Sequence, residues 1–188
     1  MIFDKSQKRG NIVYLLCLCC ILFLASCTKY KPSNEKETTT NAAIDSTLII
    51  PTFNLITIYD SSTIKREGIQ KDGLVLIKYF SPDCDHCQNE AKMYFSKKDS
   101  LQNIKTLWVA GNWNTLQMLE EFYENYQVED LKPLAMGIER DNELLVHYRF
   151  SGVPFSAIYK NNQLVKTYTG KIDFDELIAM NNEQSHVP

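Results

Sequence analysis

Two cysteines separated by two residues, Cys84-Asp85-His86-Cys87, are the part of this chain best suited to chemistry. They follow the apolar run Leu74–Phe80, which reads as a buried strand. They precede Ala91-Lys92-Met93-Tyr94-Phe95, which reads as the opening of a helix. A strand-to-helix junction puts the Cys84 sulfur at a helix N-terminus, where unpaired N–H groups and the positive end of the dipole stabilise a thiolate. Cys87 lies one turn further in, close enough to close a small disulfide ring. This spacing predicts a dithiol that exchanges electrons with other disulfides: Cys84 attacks and the shielded Cys87 resolves the mixed disulfide. The alternative is an inert Cys84–Cys87 staple, but a ring spanning two residues restrains little of an unfolded chain.

The neighbours of the pair have opposing effects. A protonated His86 favours the Cys84 thiolate, while Asp83 and Asp85 oppose it, and both Asp85 and His86 also read as plain exposed solvation. Lys78 sits in an otherwise apolar strand, where an unpaired ammonium is expensive. It either reaches Cys87 or pairs with Glu90, or it snorkels from a strand end. Glu90 reads as an exposed helix-face glutamate, with proton transfer as the alternative. His147 reads as structural, and Trp108 and Trp113 as core or rim.

Composition narrows the setting. The chain has 188 residues, 44% of them hydrophobic, enough for one core with extra segments. A net charge of −3 gives no basic surface for nucleic acid. Of six cysteines, only Cys84 and Cys87 lie in the globular part, so they form one site and no disulfide framework. The other four cluster at the N-terminus, where Lys5, Lys8 and Arg9 precede the apolar run Ile12–Ala25. That is the pattern of an export signal too short for a comfortable membrane span. It ends in Leu24-Ala25-Ser26-Cys27, which resembles the bacterial lipoprotein lipobox and implies cleavage after residue 26 and acylation of Cys27; an uncleaved signal anchor is the alternative. Thr28 replaces the Asp of the inner-membrane retention signal, which points to the outer membrane. The processed chain carries 17 basic and 22 acidic residues, a net −5. Residues 27–51 read as the lipidated cysteine and a polar, flexible tether.

From Thr52 the elements alternate. Strands are expected at 53–59, 63–64, 74–80, 104–110 and 134–138. Helices are expected at 84–99 and 115–126, and at 141–148 with Asp141 as cap. Asn161-Asn162 joins strands 155–159 and 164–168 in a tight hairpin, and a helix over 173–180 follows. The order predicts an α/β fold with a central mixed sheet flanked by helices. The domain spans 52–181, and 182–188 is a tail.

Over that span the chain resembles the thioredoxin-like superfamily, and more narrowly the membrane-anchored thiol–disulfide oxidoreductases of the TlpA and ResA type. The resemblance rests on strand, Cys84-x-x-Cys87 and helix with Glu90 behind, on Gly152-Val153-Pro154 just before a strand, and on Gly170 after the hairpin. It implies a cis proline at 154 facing the cysteines, protein disulfides as substrates, a transmembrane thiol donor to recharge the domain, and no cofactor. Membership would place the domain in the bacterial envelope, in the periplasm or at the cell surface. The chain departs from the pattern at Asp83, where the family carries Trp. It departs again at Lys78, where thioredoxin has a buried acid that moves the proton of the second cysteine. Three other functions fit less of the pattern. Thioredoxin-fold copper chaperones space their cysteines one residue wider, and two sulfurs alone do not close a zinc site, so no metal is expected. A peroxidase of the peroxiredoxin kind carries a Thr three residues before its Cys, where this chain has Ser81. A binding module that kept the fold and lost turnover is the third.

Overall fold

The computed structural model describes residues 49–69 and 71–184. The leader (1–26), Cys27, most of the tether and the last four residues lie outside them. Seven strands form one sheet: β1 (Asn54–Thr57), β2 (Thr63–Lys65), β3 (Leu74–Phe80), β4 (Lys105–Gly111), β5 (Ala135–Glu139), β6 (Phe155–Lys160) and β7 (Gln163–Thr169). Their order is β2-β1-β5-β4-β3-β6-β7. The β3–β4 and β4–β5 pairs are parallel, and the remaining pairs are antiparallel. The helices are α1 (Asp85–Ser96), α2 (Lys98–Leu101), α3 (Leu116–Asn125), α4 (Glu143–Tyr148) and α5 (Phe174–Gln184).

Strand β3 is buried on both faces, as its unbroken apolar run demands. Leu74, Leu76 and Phe80 face a core shared with Cys87, Ala91 and Tyr94 of α1, Leu119 and Phe122 of α3, and Phe174 and Leu177 of α5. Val75, Ile77 and Tyr79 face the opposite core with Leu144 of α4, Ile50 and Phe53. The two-residue period therefore places Lys78 on the α1 side of the sheet, opposite Trp108 of β4 and Ser156 of β6.

Several expectations are corrected. The first helix does not run to Asp99: it ends at Ser96, and Lys97 separates it from α2. Asp141 does not cap α4. Asn142 occupies that position in a left-handed conformation without a side-chain cap bond, and Leu144 N–H donates instead to the Glu139 carboxylate at 2.8 Å. The tether stops short of residue 51. Ile49 bridges Gln163 of β7, and Ile50 is fully buried, because its side chain completes the α4-side core. The last helix continues past 181 to Gln184, where Asn181 is buried and donates to the Ser100 carbonyl. The hairpin forms at Asn161-Asn162, both with positive φ, the conformation its two-residue turn requires.

Gly137 marks the tightest strand packing. A Cβ there would meet the Ile56 carbonyl oxygen at 2.1 Å, with backbone on both sides in β1 and β4. Gly137→Ala is expected to destabilise the domain by about 1–3 kcal/mol, read as a lower urea midpoint at unchanged slope.

Candidate active site

The β3–α1 junction is built by a turn in which Cys84 N–H donates to the Ser81 carbonyl at 3.2 Å. Cys84 then caps α1. Its backbone is extended (φ −89°, ψ 113°), and its sulfur accepts the Cys87 N–H at 3.3 Å. One orphan donor of the helix start is thus aimed at the sulfur that would carry negative charge. Both cysteines are free thiols: Cys84 is half-buried and Cys87 fully buried. The Cys87 thiol points at the Cys84 sulfur, 2.7 Å away. Burial pushes Cys87 up to about 12, Cys84 adds to the rise, and Lys78 opposes it. Asp85 and His86, between the two cysteines in sequence, are both exposed.

Lys78 and Glu90 are brought together beneath this pair. Glu90 is not an exposed helix-face residue: it is 2% exposed, and its carboxylate forms an ion pair with the Lys78 ammonium, itself fully buried. The snorkelling alternative for Lys78 is therefore excluded. The second Glu90 oxygen accepts the Ile172 N–H at 3.2 Å, and the ammonium lies 5.1 Å from the centroid of the Trp108 ring. Each charge thus has more than one partner, as a buried pair requires. Burial pulls Lys78 below its ordinary value, while negative charge on Cys87 and Cys84 would raise it.

Pro154 follows a cis peptide bond at Val153-Pro154. The Val153 carbonyl is 3.7 Å from the Cys84 sulfur, and the Pro154 carbonyl accepts the Gly170 N–H at 2.8 Å. Val153 packs against both cores, which fixes this loop relative to the sheet. Between the loop and α1 lies a groove of about 390 Å3, lined by His86, Asn89, Glu90, Met93, Val153 and Pro154 among others. The groove therefore reaches from the exposed start of α1 to Glu90 of the buried pair. Among the described residues, no three His, Cys, Asp or Glu side chains are grouped to hold a metal ion, and no helix is long and apolar enough to cross a membrane.

Two features near the site escape the sequence. On the β3–α1 turn, the Ser81 hydroxyl contacts both Asp83 and the Asn114 side chain, tying the motif to the loop after β4. On the opposite face of β3, Glu139 is fully buried and its Oε2 has no hydrogen-bond partner. Burial raises it to about 7, with Glu143 adding to the rise, and the Leu144 N–H and Tyr79 hydroxyl acting against it. An acid closing the apolar strand Ala135–Ile138 is the only trace of Glu139 in the sequence. Trp108 is core, while Trp113 is rim at 54% exposed, and His147 is half-buried beside Tyr148.

No family model matches the chain, and no curated protein does. Solved structures do. A putative thioredoxin from Neisseria meningitidis aligns with TM-score 0.57 at 21% identity, over 73% of this chain and 88% of its own. A secreted Mycobacterium tuberculosis disulfide oxidoreductase homologous to E. coli DsbE aligns with TM-score 0.55 at 15% identity, over 70% and 95%. A peroxiredoxin-like protein from Aquifex aeolicus aligns with TM-score 0.58 at 14% identity, over 72% and 84%. The chain has the thioredoxin-like fold. That fold alone does not choose between disulfide exchange and peroxide chemistry.

Two stability measurements test these environments. Lys78→Met strands a buried carboxylate and is expected to cost about 3–5 kcal/mol in urea unfolding; adding Glu90→Gln should recover most of that loss. For Glu139, a carboxyl raised to about 7 from the ordinary 4.5 favours its neutral form in the folded state. Its contribution is full below about pH 4.5 and lost as pH rises through about 7. Glu139→Gln keeps an oxygen for Leu144 and should remove this slope from urea midpoints measured between pH 4.5 and 8.

Proposed function

We propose that this protein is an exported, lipid-anchored thiol–disulfide oxidoreductase that reduces protein disulfides through Cys84 and Cys87. The observation that carries the reading is the half-buried Cys84 sulfur, capped by the Cys87 N–H and lying 3.7 Å from the Val153 carbonyl, with a buried thiol directly behind it. An inert staple would need neither the helix-cap position nor the adjoining groove. A peroxidase would use one attacking sulfur and the Thr that peroxiredoxins place three residues before it, where this chain has Ser81.

The reaction follows from the positions. The Cys84 thiolate attacks one sulfur of a substrate disulfide, forming a Cys84 mixed disulfide and releasing the other sulfur as a thiolate that takes a proton. The Cys87 thiol then gives its proton to the Glu90 carboxylate, one turn along α1. As Glu90 is neutralised, the Lys78 ammonium becomes the counterion of the Cys87 thiolate, so a buried positive charge is never left unpaired. The Cys87 thiolate attacks the Cys84 sulfur, closing the Cys84–Cys87 disulfide and expelling the second substrate sulfur as a thiolate; the proton leaves Glu90 for that thiolate, which restores the Lys78–Glu90 pair. Two electrons from a transmembrane thiol donor return the domain to the dithiol. No organic cofactor enters the cycle. Lys78 and Glu90 together take the part played in thioredoxin by an acid at the position of Lys78. Val153 and Pro154 border the groove in which the substrate strand lies, with His86 at its exposed end.

Acylation of Cys27 would hold the domain at the bacterial envelope, with the outer membrane favoured by Thr28, and residues 28–48 as the spacer. Export to an oxidising compartment is what makes a dedicated reductant necessary.

The test is a redox titration of the full-length protein in graded thiol buffers, with alkylated sulfurs counted by mass. One reversible two-electron couple is expected at Cys84/Cys87, at about −270 mV or below, the range of reductases. A couple near about −120 mV would reverse the direction to disulfide donation. Absence of any couple, with stoichiometric copper binding instead, would replace the enzyme with a metal-handling protein.

A further inference from the structure

Next to Cys84 in the chain stands an exposed carboxylate, Asp83, and the loop after β4 carries an exposed indole, Trp113; neither has a cation among the described residues. Trp113 is 54% exposed, although its ring is held in place. It covers Gly111 so closely that a Cβ there would lie 2.2 Å from the ring, and it leans on Tyr79 at a centroid distance of 6.2 Å. The loop carrying it is fixed at both sides: Asn112 donates to the Arg140 carbonyl at 3.0 Å, and Asn114 donates to the Gly111 carbonyl at 3.1 Å. Asn114 also contacts the Ser81 hydroxyl, which in turn contacts Asp83. Asp83 and Trp113 are therefore tied to one flank of the motif, with Cys84 next to Asp83 in the chain. Among the described residues, Lys78, Lys92, Lys98 and Lys166 lie over aromatic rings, and no cation lies over Trp113. Asp83 has no basic partner among them either.

We infer that Trp113 and Asp83 form a subsite for an arginine or lysine side chain of the substrate polypeptide, close to its disulfide cysteine. A guanidinium stacks on an indole face and pairs with a carboxylate at once, which neither an acidic nor a neutral polar side chain does. The acid at position 83 gives the subsite its charge preference. The net charge of the processed chain, −5, attracts the same class of partner. This inference rests on the redox reading for the word substrate, but not for the binding itself.

The experiment uses the full-length protein with Cys84→Ser and Cys87→Ser, so that no turnover is needed. Its two tryptophans give two indole N–H signals by NMR. Peptides carrying Ser at the target cysteine, followed by Arg, Gln or Glu, are titrated in. The Arg peptide should shift the Trp113 signal and bind at least about tenfold more tightly than the Glu peptide, about 1.4 kcal/mol. The ratio should fall below about threefold in Asp83→Asn, and in Trp113→Ala followed by calorimetry. Equal affinities for the Arg and Glu peptides, or a ratio unchanged in both variants, would overturn the subsite. A wild-type protein that fails to exchange disulfides would overturn the redox reading, while this titration still decides the subsite.

Discussion

The interaction on which the site depends is the buried ion pair between Lys78 and Glu90. An ammonium in the middle of a central strand, enclosed by Trp108 and α1, is tolerable only because a carboxylate meets it there. That requirement fixes the rotation of α1 about its axis, since Glu90 must point at the sheet. Rotation of α1 in turn places Cys87 inside and leaves Cys84 at the cap. The second oxygen of Glu90 holds the Ile172 N–H, and so the pair also positions the segment that leads from β7 into α5.

From there the constraint reaches the cis-proline loop. Gly170 N–H holds the Pro154 carbonyl, two residues from Ile172, while Val153 is wedged between the two cores. The dithiol, the buried charges and the loop across the groove are thus one connected unit. The charge of the pair is neutral overall and becomes positive on taking a proton, which is the state a buried thiolate needs beside it. An acid alone would give a neutral group at that moment, and a lysine alone would be expensive at every other moment.

The sequence made the framework legible where physical demands are local. Leu74–Phe80 reads as a buried strand because every residue but one is apolar or aromatic, and Asn161-Asn162 reads as a hairpin because few other residues take that turn. The motif and the order of elements are read from spacing in the same way, while Pro154 is singled out by the resemblance to the thioredoxin-like superfamily. What could not be read depends on contacts between distant residues. Glu90 looked exposed because its partner lies 12 residues away on another element, and nothing on the helix itself announces that partner. Ile50 looked like part of a polar tether because the gap it fills belongs to α4 and β3. Asp141 looked like a cap, yet Glu139, two residues earlier and buried, holds the α4 amide. Trp113 reads from sequence only as core or rim, and its link to Asp83 runs through Ser81 and Asn114, which no spacing rule connects.

The central claim is the division of labour between the sulfurs, and trapping tests it most directly. The full-length protein with Cys87→Ser, incubated with a disulfide-bonded protein substrate and analysed without reductant, should accumulate a covalent mixed disulfide through Cys84, stable for hours because no resolving sulfur remains. Cys84→Ser should accumulate none under the same conditions. Equal trapping by both variants, or trapping through Cys87 alone, would contradict the assignment of Cys84 as the attacking sulfur and Cys87 as the shielded one.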